Sequence, residues 1–360
     1  MNNLRIVFLC IFVGNPYADL LIKPLTFKGV QVKVEDSNFS FIFLPKIIGS
    51  GKTDILHLHT LHYFFLGKTK INRLLKFFLF ISQVFIIKLL GTKLIWTVHE
   101  WTDRFGDGKN DIPPVWSGIL GRLFDAVITH CDTTKKEIVK AFRLENKNKV
   151  FVIPHGNYIG SYENKISQIE ARKKLDIPQK NLVFLLFGNI HRTKGFLEAI
   201  DAFKRLKEPS ISLLVVGHPA EDKIEEEIRD KVKGHENILF LPQQIPDKEI
   251  QLYMNAGDCV LVPYKVFTTS GVTILTMSFG RACIAPNVGF FSDVLDESGA
   301  FLYDSTNEEG LFSAMKSAIE KRNNILEMGK HNLKLAEQWN WDSVAQLTFN
   351  IYKGCLGQEK

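Results

Sequence analysis

LLFGNIHRTKGFLEAIDAF, residues 185–203, is the stretch whose reading decides the fold. An apolar run ends at Gly188, a short loop carries His191, Arg192 and Lys194, and Gly195 opens a segment with apolar residues at helical spacing. A buried strand, a basic loop and a helix in that order make a βα unit. The loop lies where the N–H groups of a helix start and two cations can meet an anion such as a diphosphate. A solvated turn uses the same residue types, so both readings stand on this segment alone. No Walker pattern and no tight G-x-G-x-x-G run lies here, which makes kinase and dehydrogenase readings weak.

Outward from this unit the same alternation recurs. LRIVFLCIFV, VQVKVE, FSFIFL, DILHLH, KLIWTVH, FDAVITH and KVFVIP read as strands of a first series, with helices over 17–27 and roughly 69–90. NLVFLLFG, SLLVVG, NILFLP, CVLVPY and ACIAP form a second series. Runs that are apolar throughout belong to parallel sheets covered on both sides. The expected fold is therefore α/β, with two doubly wound Rossmann-like domains facing across a cleft. The Gly-, Asn- and Tyr-rich stretch 154–165 reads as the linker, dividing the chain into 1–160 and 161–340. A last helix within 341–360 is expected to cross back to the first domain. Ligands in such folds sit at the carboxyl ends of strands, which directs attention to 14–17, 57–62, 99–103, 188–194, 217–219 and 268–271.

At 360 residues, 45% hydrophobic and 23% charged, the chain has a globular composition with room for two cores. Its five scattered cysteines show no C-x-x-C spacing and suit a reduced, cytoplasmic protein. The apolar N-terminal run has a single preceding basic residue and no small-residue cleavage site, so it reads as a first strand rather than a signal peptide. The net charge of +6 is unevenly placed: residues 1–165 hold 22 Lys and Arg against 13 Asp and Glu, the remainder 23 against 26. Basic character in the first half suits an anionic surface or substrate.

In PYKVFTTSGVTILTMSFGRACIAP (263–286), Thr268, Thr269, Ser270 and Gly271 precede a helical run, where small hydroxyl residues cap the helix or donate to phosphate or sugar. At this point GNIHRTKGFLEAIDAF, SLLVVGHP, NILFLPQQIPDKEIQLYMNAGDCVLVPY, TSGVTILTMSFGRACIAPNVG and WNWDSVAQLTFNIY together resemble the donor half of GT-B glycosyltransferases. They are most similar to the bacterial family-4 enzymes (glycosyl transferases group 1) of exopolysaccharide and cell-surface glycan synthesis. GNPYADLL, DILHLH, KLIWTVHE and VFVIPHGNY follow in the expected order in the first half.

The resemblance implies an acceptor-binding first domain and a nucleotide-sugar-binding second domain. It matches Lys194 to the lysine that grips the donor pyrophosphate. Asn189 replaces the family's arginine, leaving Arg192 as a candidate for that charge, with Gly188 and Gly217 at the strand ends. The loop from Pro242 to Ile245 matches the nucleobase contact, and Ser270, Gly271 and Val272 the diphosphate contact, with Thr269 a donor-binding candidate beside them. The family's Glu-x7-Glu pair falls near Phe267 and Leu275, neither acidic. His99 matches a histidine beside the transferred sugar. If the reaction inverts configuration, Glu100 or Asp103 is the better candidate for the base.

Gly14, Asn15, Tyr17, His59 and His62 are acceptor-side candidates by strand-end position. His57, His59 and His62 suggest a metal by residue type, but no further ligand follows at a recognisable spacing. No Asp-x-Asp occurs, so a metal-independent reaction is expected in which Lys194, Arg192 and backbone dipoles meet the charge of the leaving diphosphate. Residues 66–93 carry Lys68, Lys70, Arg73, Lys76, Lys88 and Lys93 and no acid, and are too interrupted to span a bilayer. They read as a helix lying on an anionic membrane surface, or as a core helix with snorkelling lysines. Nucleic acid is not an expected partner, since no binding module is present.

The expected function is transfer of a hexose from a GDP- or UDP-linked sugar, with no other cofactor, to a lipid-linked or polysaccharide acceptor. Retention of configuration and a peripheral place at the inner face of the membrane are expected with it. The rivals are a catalytically silent membrane-associated relative, supported by the missing Glu pair, and a nucleotide-sugar epimerase on the same fold.

Overall fold

Alternating apolar residues on parallel strands must be covered on both faces, and the first half of the chain shows how. A computed structural model describes residues 4–10, 16–36, 41–67, 69–101, 112–144 and 147–358. The chain divides into one unit of residues 1–156 with 339–360 and a second of 157–338. The first is built on β1 (Leu4–Cys10), β2 (Val30–Asp36), β3 (Ile55–Leu58), β4 (Lys93–Thr97), β5 (Ala126–Thr129) and β6 (Val150–Val152), all parallel in the order β2-β1-β3-β4-β5-β6. Its helices are α1 (Tyr17–Phe27), α2 (Leu44–Gly49), α3 (Lys70–Leu89), α4 (Pro114–Leu123) and α5 (Asp132–Ala141). Val7, Leu9, Leu56, Leu58, Leu94 and Trp96 point to the face covered by α2–α5, while Ile6, Phe8, Ile55 and Ile95 point to the opposite face, under α1.

The expected strand at FSFIFL is not one. Residues 39 and 40 lie outside the described residues, 41–43 are not strand, and α2 begins at Leu44. Pro45 cannot donate to a ladder but suits a first helical turn. The buried Gln83 of α3 accepts from the Phe43 and Leu44 N–H groups and donates to the Phe41 carbonyl, holding the segment against α3.

The second unit carries β7 (Leu182–Phe187), β8 (Ile211–Gly217), β9 (Ile238–Pro242), β10 (Cys259–Leu261), β11 (Ala282–Pro286) and β12 (Ala300–Tyr303), in the order β12-β11-β10-β7-β8-β9. Its helices are α6 (Gln168–Lys174), α7 (Phe196–Arg205), α8 (Asp222–Val232), α9 (Ile250–Ala256), α10 (Gly271–Ser278), α11 (Phe290–Val294), α12 (Gly310–Glu320) and α13 (Ile325–Glu337). Every residue of β7 and β8 is buried. The short edge strand β12 is half-buried at its end, which is why its sequence lacks the continuous apolar signal of its neighbours. Arg172 fastens α6 to this sheet: its guanidinium pairs with Asp258 and donates to the Ala256, Gln179 and Asn181 carbonyls. Cys131, Cys259 and Cys283 are buried thiols.

The last helix, α14 (Trp341–Cys355), belongs to the first unit, where it packs on α1 and places Val344, Ala345, Ile351 and Tyr352 over the sheet. The stretch expected to be a linker is not solvated at its start. His155, Asn157 and Tyr158 are buried, and Asn157 donates to the Ala336 carbonyl. The boundary therefore falls at Gly156, and the return at residue 339.

Candidate active site

In each sheet the strand order reverses once, and the loops beside that reversal spread apart to leave a crevice. In the second unit the reversal lies between β7 and β10. The chain leaves β7 through Gly188, whose φ of +102° suits glycine, and turns through residues 192–194 to Gly195, at φ +68°. Gly195 and Gly217 are needed for space. A Cβ on Gly195 would stand 2.1 Å from the Pro263 carbonyl oxygen, and one on Gly217, at the end of β8, 1.8 Å from that of Gly188. The loop after β10 packs here too, with the Lys265 N–H donating to the Thr193 carbonyl at 2.7 Å.

That second loop ends at Ser270, which caps α10 by accepting from the Thr273 N–H at 3.2 Å. The helix ladder starts with Ile274 bonding back to Ser270, so the Gly271 and Val272 amides have no partner within the helix. Val272 stands across from Gly188, where a Cβ would meet its Cγ2 at 3.2 Å. Lys194 holds its ammonium 5.3 Å from the centre of the buried Tyr264 ring. Pro242 pairs with Gly217 at the end of β9, and the chain continues to Ile245. Gly188, Lys194, Gly217, Pro242, Ser270, Gly271 and Val272 thus gather at the carboxyl ends of four adjacent strands of one unit.

In the first unit the reversal lies between β1 and β3, and there the structure collects imidazoles. His57 is on β3, and His59, His99, His130 and His155 follow the ends of β3, β4, β5 and β6. Tyr17, at the start of α1, stands edge-on to four of these rings, with centroids 4.7 Å from His99, 5.1 Å from His155, 5.7 Å from His59 and 5.9 Å from His130. Trp341 closes the nest at 5.1 Å from Tyr17. His57 hydrogen-bonds the Tyr352 hydroxyl at 2.7 Å and the Thr97 hydroxyl at 2.8 Å, and His59 Nδ1 lies 3.4 Å from His99 Nε2. His130 and His155 donate from Nδ1 to the Ile153 and Gly156 carbonyls. Burial, then the charge of a neighbouring imidazole, pushes His57 down to about 3 and holds His59 and His99 well below the ordinary range. Burial is the main cause for His130, at about 4, and His155, at about 3. All five are neutral at pH 7. Among the described residues no three His, Cys, Asp or Glu are placed to hold a metal ion.

Family models match both halves: Glycosyltransferase Family 4 over residues 35–157 and Glycosyl transferases group 1 over 167–335. The chain belongs to the family-4, group-1 glycosyltransferases. Among its relatives is the GDP-mannose:glycolipid 4-beta-D-mannosyltransferase of Xanthomonas campestris pv. campestris, 22% identical over 86% of this chain and 82% of that protein. The lipopolysaccharide 1,2-N-acetylglucosaminetransferase of Salmonella typhimurium is 27% identical over 58% of each. The crystal structure of Anabaena HepE in complex with UDP and glucose aligns with TM-score 0.74 at 16% identity, over 98% of this chain and all of that one. Sucrose-phosphate synthase of Thermosynechococcus elongatus aligns with TM-score 0.76 at 16% identity, over 99% and 100%. These likenesses show the GT-B fold.

For this glycosyltransferase, several expected site residues change standing. Arg192 turns away to α8, where its guanidinium makes a two-pronged pair with Glu227, and that bond raises its pKa. Its charge is met there, and Lys194, with its ammonium beside the Tyr264 ring, is the other cation expected of this loop. Tyr17 is only 2% exposed and serves as the hub of the histidine nest rather than an open acceptor contact. His99 and Glu100 lie half-buried at the end of β4. Thr269 is half-buried in the loop before α10. Gly14, Asn15 and Asp103 lie outside the described residues, as does the side chain of His62. The positions expected for the Glu pair are used for packing: the Phe267 ring lies 4.5 Å from that of Phe291, and Leu275 is buried in α10. Sequence reasoning passed over His130, His155, Trp341 and Tyr352. FDAVITH and FVIPH end in histidine just past a strand terminus, as KLIWTVH does, so the signal was there for the first two.

Proposed function

We propose that the protein transfers a hexose from a GDP- or UDP-linked sugar to a lipid-linked or polysaccharide acceptor during the synthesis of cell-surface glycan or exopolysaccharide. The observation that supports this most is the β7/β10 crevice. Gly188, Gly217, the first amides of α10 and Lys194 lie at the carboxyl ends of adjacent strands, and backbone donors with a cation suit a diphosphate there. In the transfer the bond from the anomeric carbon to the diphosphate oxygen breaks, the acceptor oxygen takes its place, and the acceptor's proton passes to the departing phosphate oxygen. Charge grows on the departing nucleoside diphosphate, and fixed donors stabilise it without reorganising. Lys194 and these amides suit a metal-independent reaction, in keeping with a sequence that lacks Asp-x-Asp. The glycolipid named for the Xanthomonas relative and the UDP named for the HepE structure support the acceptor and donor classes.

Retention of configuration is the stereochemistry proposed. His99 is held neutral by burial and by its imidazole neighbours, which suits a hydrogen bond to a sugar hydroxyl better than storage of a proton. Inversion would put the base at Glu100 or Asp103. The place of work is the inner face of the membrane, reached through residues 66–93; no helix among the described residues is long and apolar enough to cross a membrane. A silent relative is the second reading, favoured by Phe267 and Leu275 where the family carries acids.

Incubation of the purified chain with labelled GDP-mannose, UDP-glucose and UDP-N-acetylglucosamine and extracted membrane glycolipid separates these readings. Label in a lipid product, with release of the matching nucleoside diphosphate, is the expected result. The anomeric coupling in that product reports retention or inversion. Nucleotide binding with no product from any donor would favour the silent relative.

A further inference from the structure

The helix that the sequence marked for its charge presents something else to solvent. α3 buries Phe77, Phe80, Gln83, Val84 and Ile87. On its other side Ile71, Leu75, Phe78, Phe85 and Leu89 are 57–72% exposed, with Leu74 and Ile86 beside them. Positions 71, 75, 78, 82, 85 and 89 recur at helical spacing, so these side chains form one stripe along the helix, interrupted only at Ser82. Twenty residues give it a length of about 30 Å. Three of the cations expected on this face are folded back. Arg73 donates to the Phe65 carbonyl, Lys76 to the Leu66 carbonyl with its ammonium 3.7 Å from the centre of the Phe41 ring, and Lys88 to the Leu123 carbonyl and Asp125.

The neighbouring helices extend the apolar surface. Ile48 of α2 is 52% exposed and Val115 of α4 is 66% exposed, and α4 is tied to α3 by the Trp116 ring stacked 4.4 Å from Phe77. Across α2, α3 and α4 there is no Asp or Glu, against six Lys and Arg. A protein partner covering a convex apolar ridge would gain from acids as readily as from bases. An anionic bilayer suits this combination: apolar side chains that can enter the acyl boundary, on helices that carry cations and no acid of their own.

We propose that α3, flanked by α2 and α4, docks on an anionic lipid surface by inserting the Leu75–Phe78–Phe85 stripe. This deepens the lipid-linked acceptor reading on which it rests. It also corrects the emphasis on charge: cations choose the membrane, while the apolar stripe holds it. Salt should therefore weaken docking without abolishing it, because screening acts on the charges and not on apolar burial.

The test is flotation of the full chain with phosphatidylcholine vesicles, with and without an equal part of phosphatidylglycerol, at low and high salt. The chain should float with the anionic vesicles and partly persist in high salt. The triple variant Leu75→Ser, Phe78→Ser, Phe85→Ser should lose at least about tenfold in partitioning at both salts. Its thermal transition and its affinity for GDP and UDP should stay as in the parent, which separates lost docking from lost folding. Wild-type chain that stays with the buffer, or a triple variant that floats unchanged, overturns the proposal. So does a chain that dimerises through this face in sedimentation and does not float. Nucleotide binding without flotation would refute the docking alone, and flotation without nucleotide binding would refute the transferase reading alone.

Discussion

Acidification below pH 6.5 is expected to unfold the first unit well before ordinary carboxylate titration would. In the unfolded chain each imidazole takes up a proton near pH 6.5, whereas burial withholds it until about pH 4 for His130 and about 3 for His57 and His155. Between those values the unfolded state binds more protons than the native one, so stability present above pH 6.5 is lost as pH falls toward the folded values. Each such group contributes a slope of about 1.4 kcal/mol per pH unit, and these three together about 4, with His59 and His99 shifted the same way. A domain stable by about 5–15 kcal/mol is exhausted within a few pH units on that slope. Denaturant unfolding followed by tryptophan fluorescence at pH 7, 6 and 5 measures it, with Trp341 seated in the nest as reporter. The midpoint should fall steeply between pH 6 and 5. A flat midpoint over that range would show that the imidazoles are not withheld from protons.

Deletion of residues 339–360 is expected to abolish folding of the first unit. Val344, Ala345, Thr348, Ile351 and Tyr352 of α14 are all buried, and Trp341 lies against Tyr17 and the backbone at Gly156. At about 1.5–3 kcal/mol for each large apolar side chain removed from its cover, the loss is about 10 kcal/mol, comparable to the whole stability of a domain. Tyr352→Phe isolates one component. The ring stays, but His57 Nδ1 loses its hydroxyl partner, at a cost of about 1–3 kcal/mol. Calorimetry of the two variants should show one unfolding transition missing in the truncated chain and one lowered in Tyr352→Phe. Two intact transitions after truncation would contradict the placement of α14.

What could be read from the residues follows their physics. β7 and β8 are buried on both faces, so LVFLLF and ISLLVVG announce themselves, and the glycines after them mark where backbone must come close. β12 is short and half-exposed at its end, and residues 41–44 are held by Gln83 rather than by a ladder, so neither carried a dependable signal. The loop after β7 was legible as a strand end followed by cations. That Arg192 would turn to Glu227, 35 positions on, depends on how α8 packs, which no local pattern encodes. The same holds for Lys76 and Lys88: their charges were visible, but not the carbonyls that take them off the outer face of α3. The histidine nest was half seen, because His59 and His99 were judged by their loops while its centre, Tyr17, is defined by four strands at once.

Transfer from a nucleotide sugar requires that the β7/β10 crevice hold a nucleoside diphosphate. Titration calorimetry of GDP, UDP, ADP and dTDP, with EDTA present, tests it on the parent chain and on Lys194→Ala. One diphosphate, GDP or UDP, should bind selectively without metal, and Lys194→Ala should weaken it at least tenfold, about 1.4 kcal/mol for one charge-assisted contact. No binding by the parent, or equal binding by the variant, would contradict the assignment of this loop as the cradle of the leaving group.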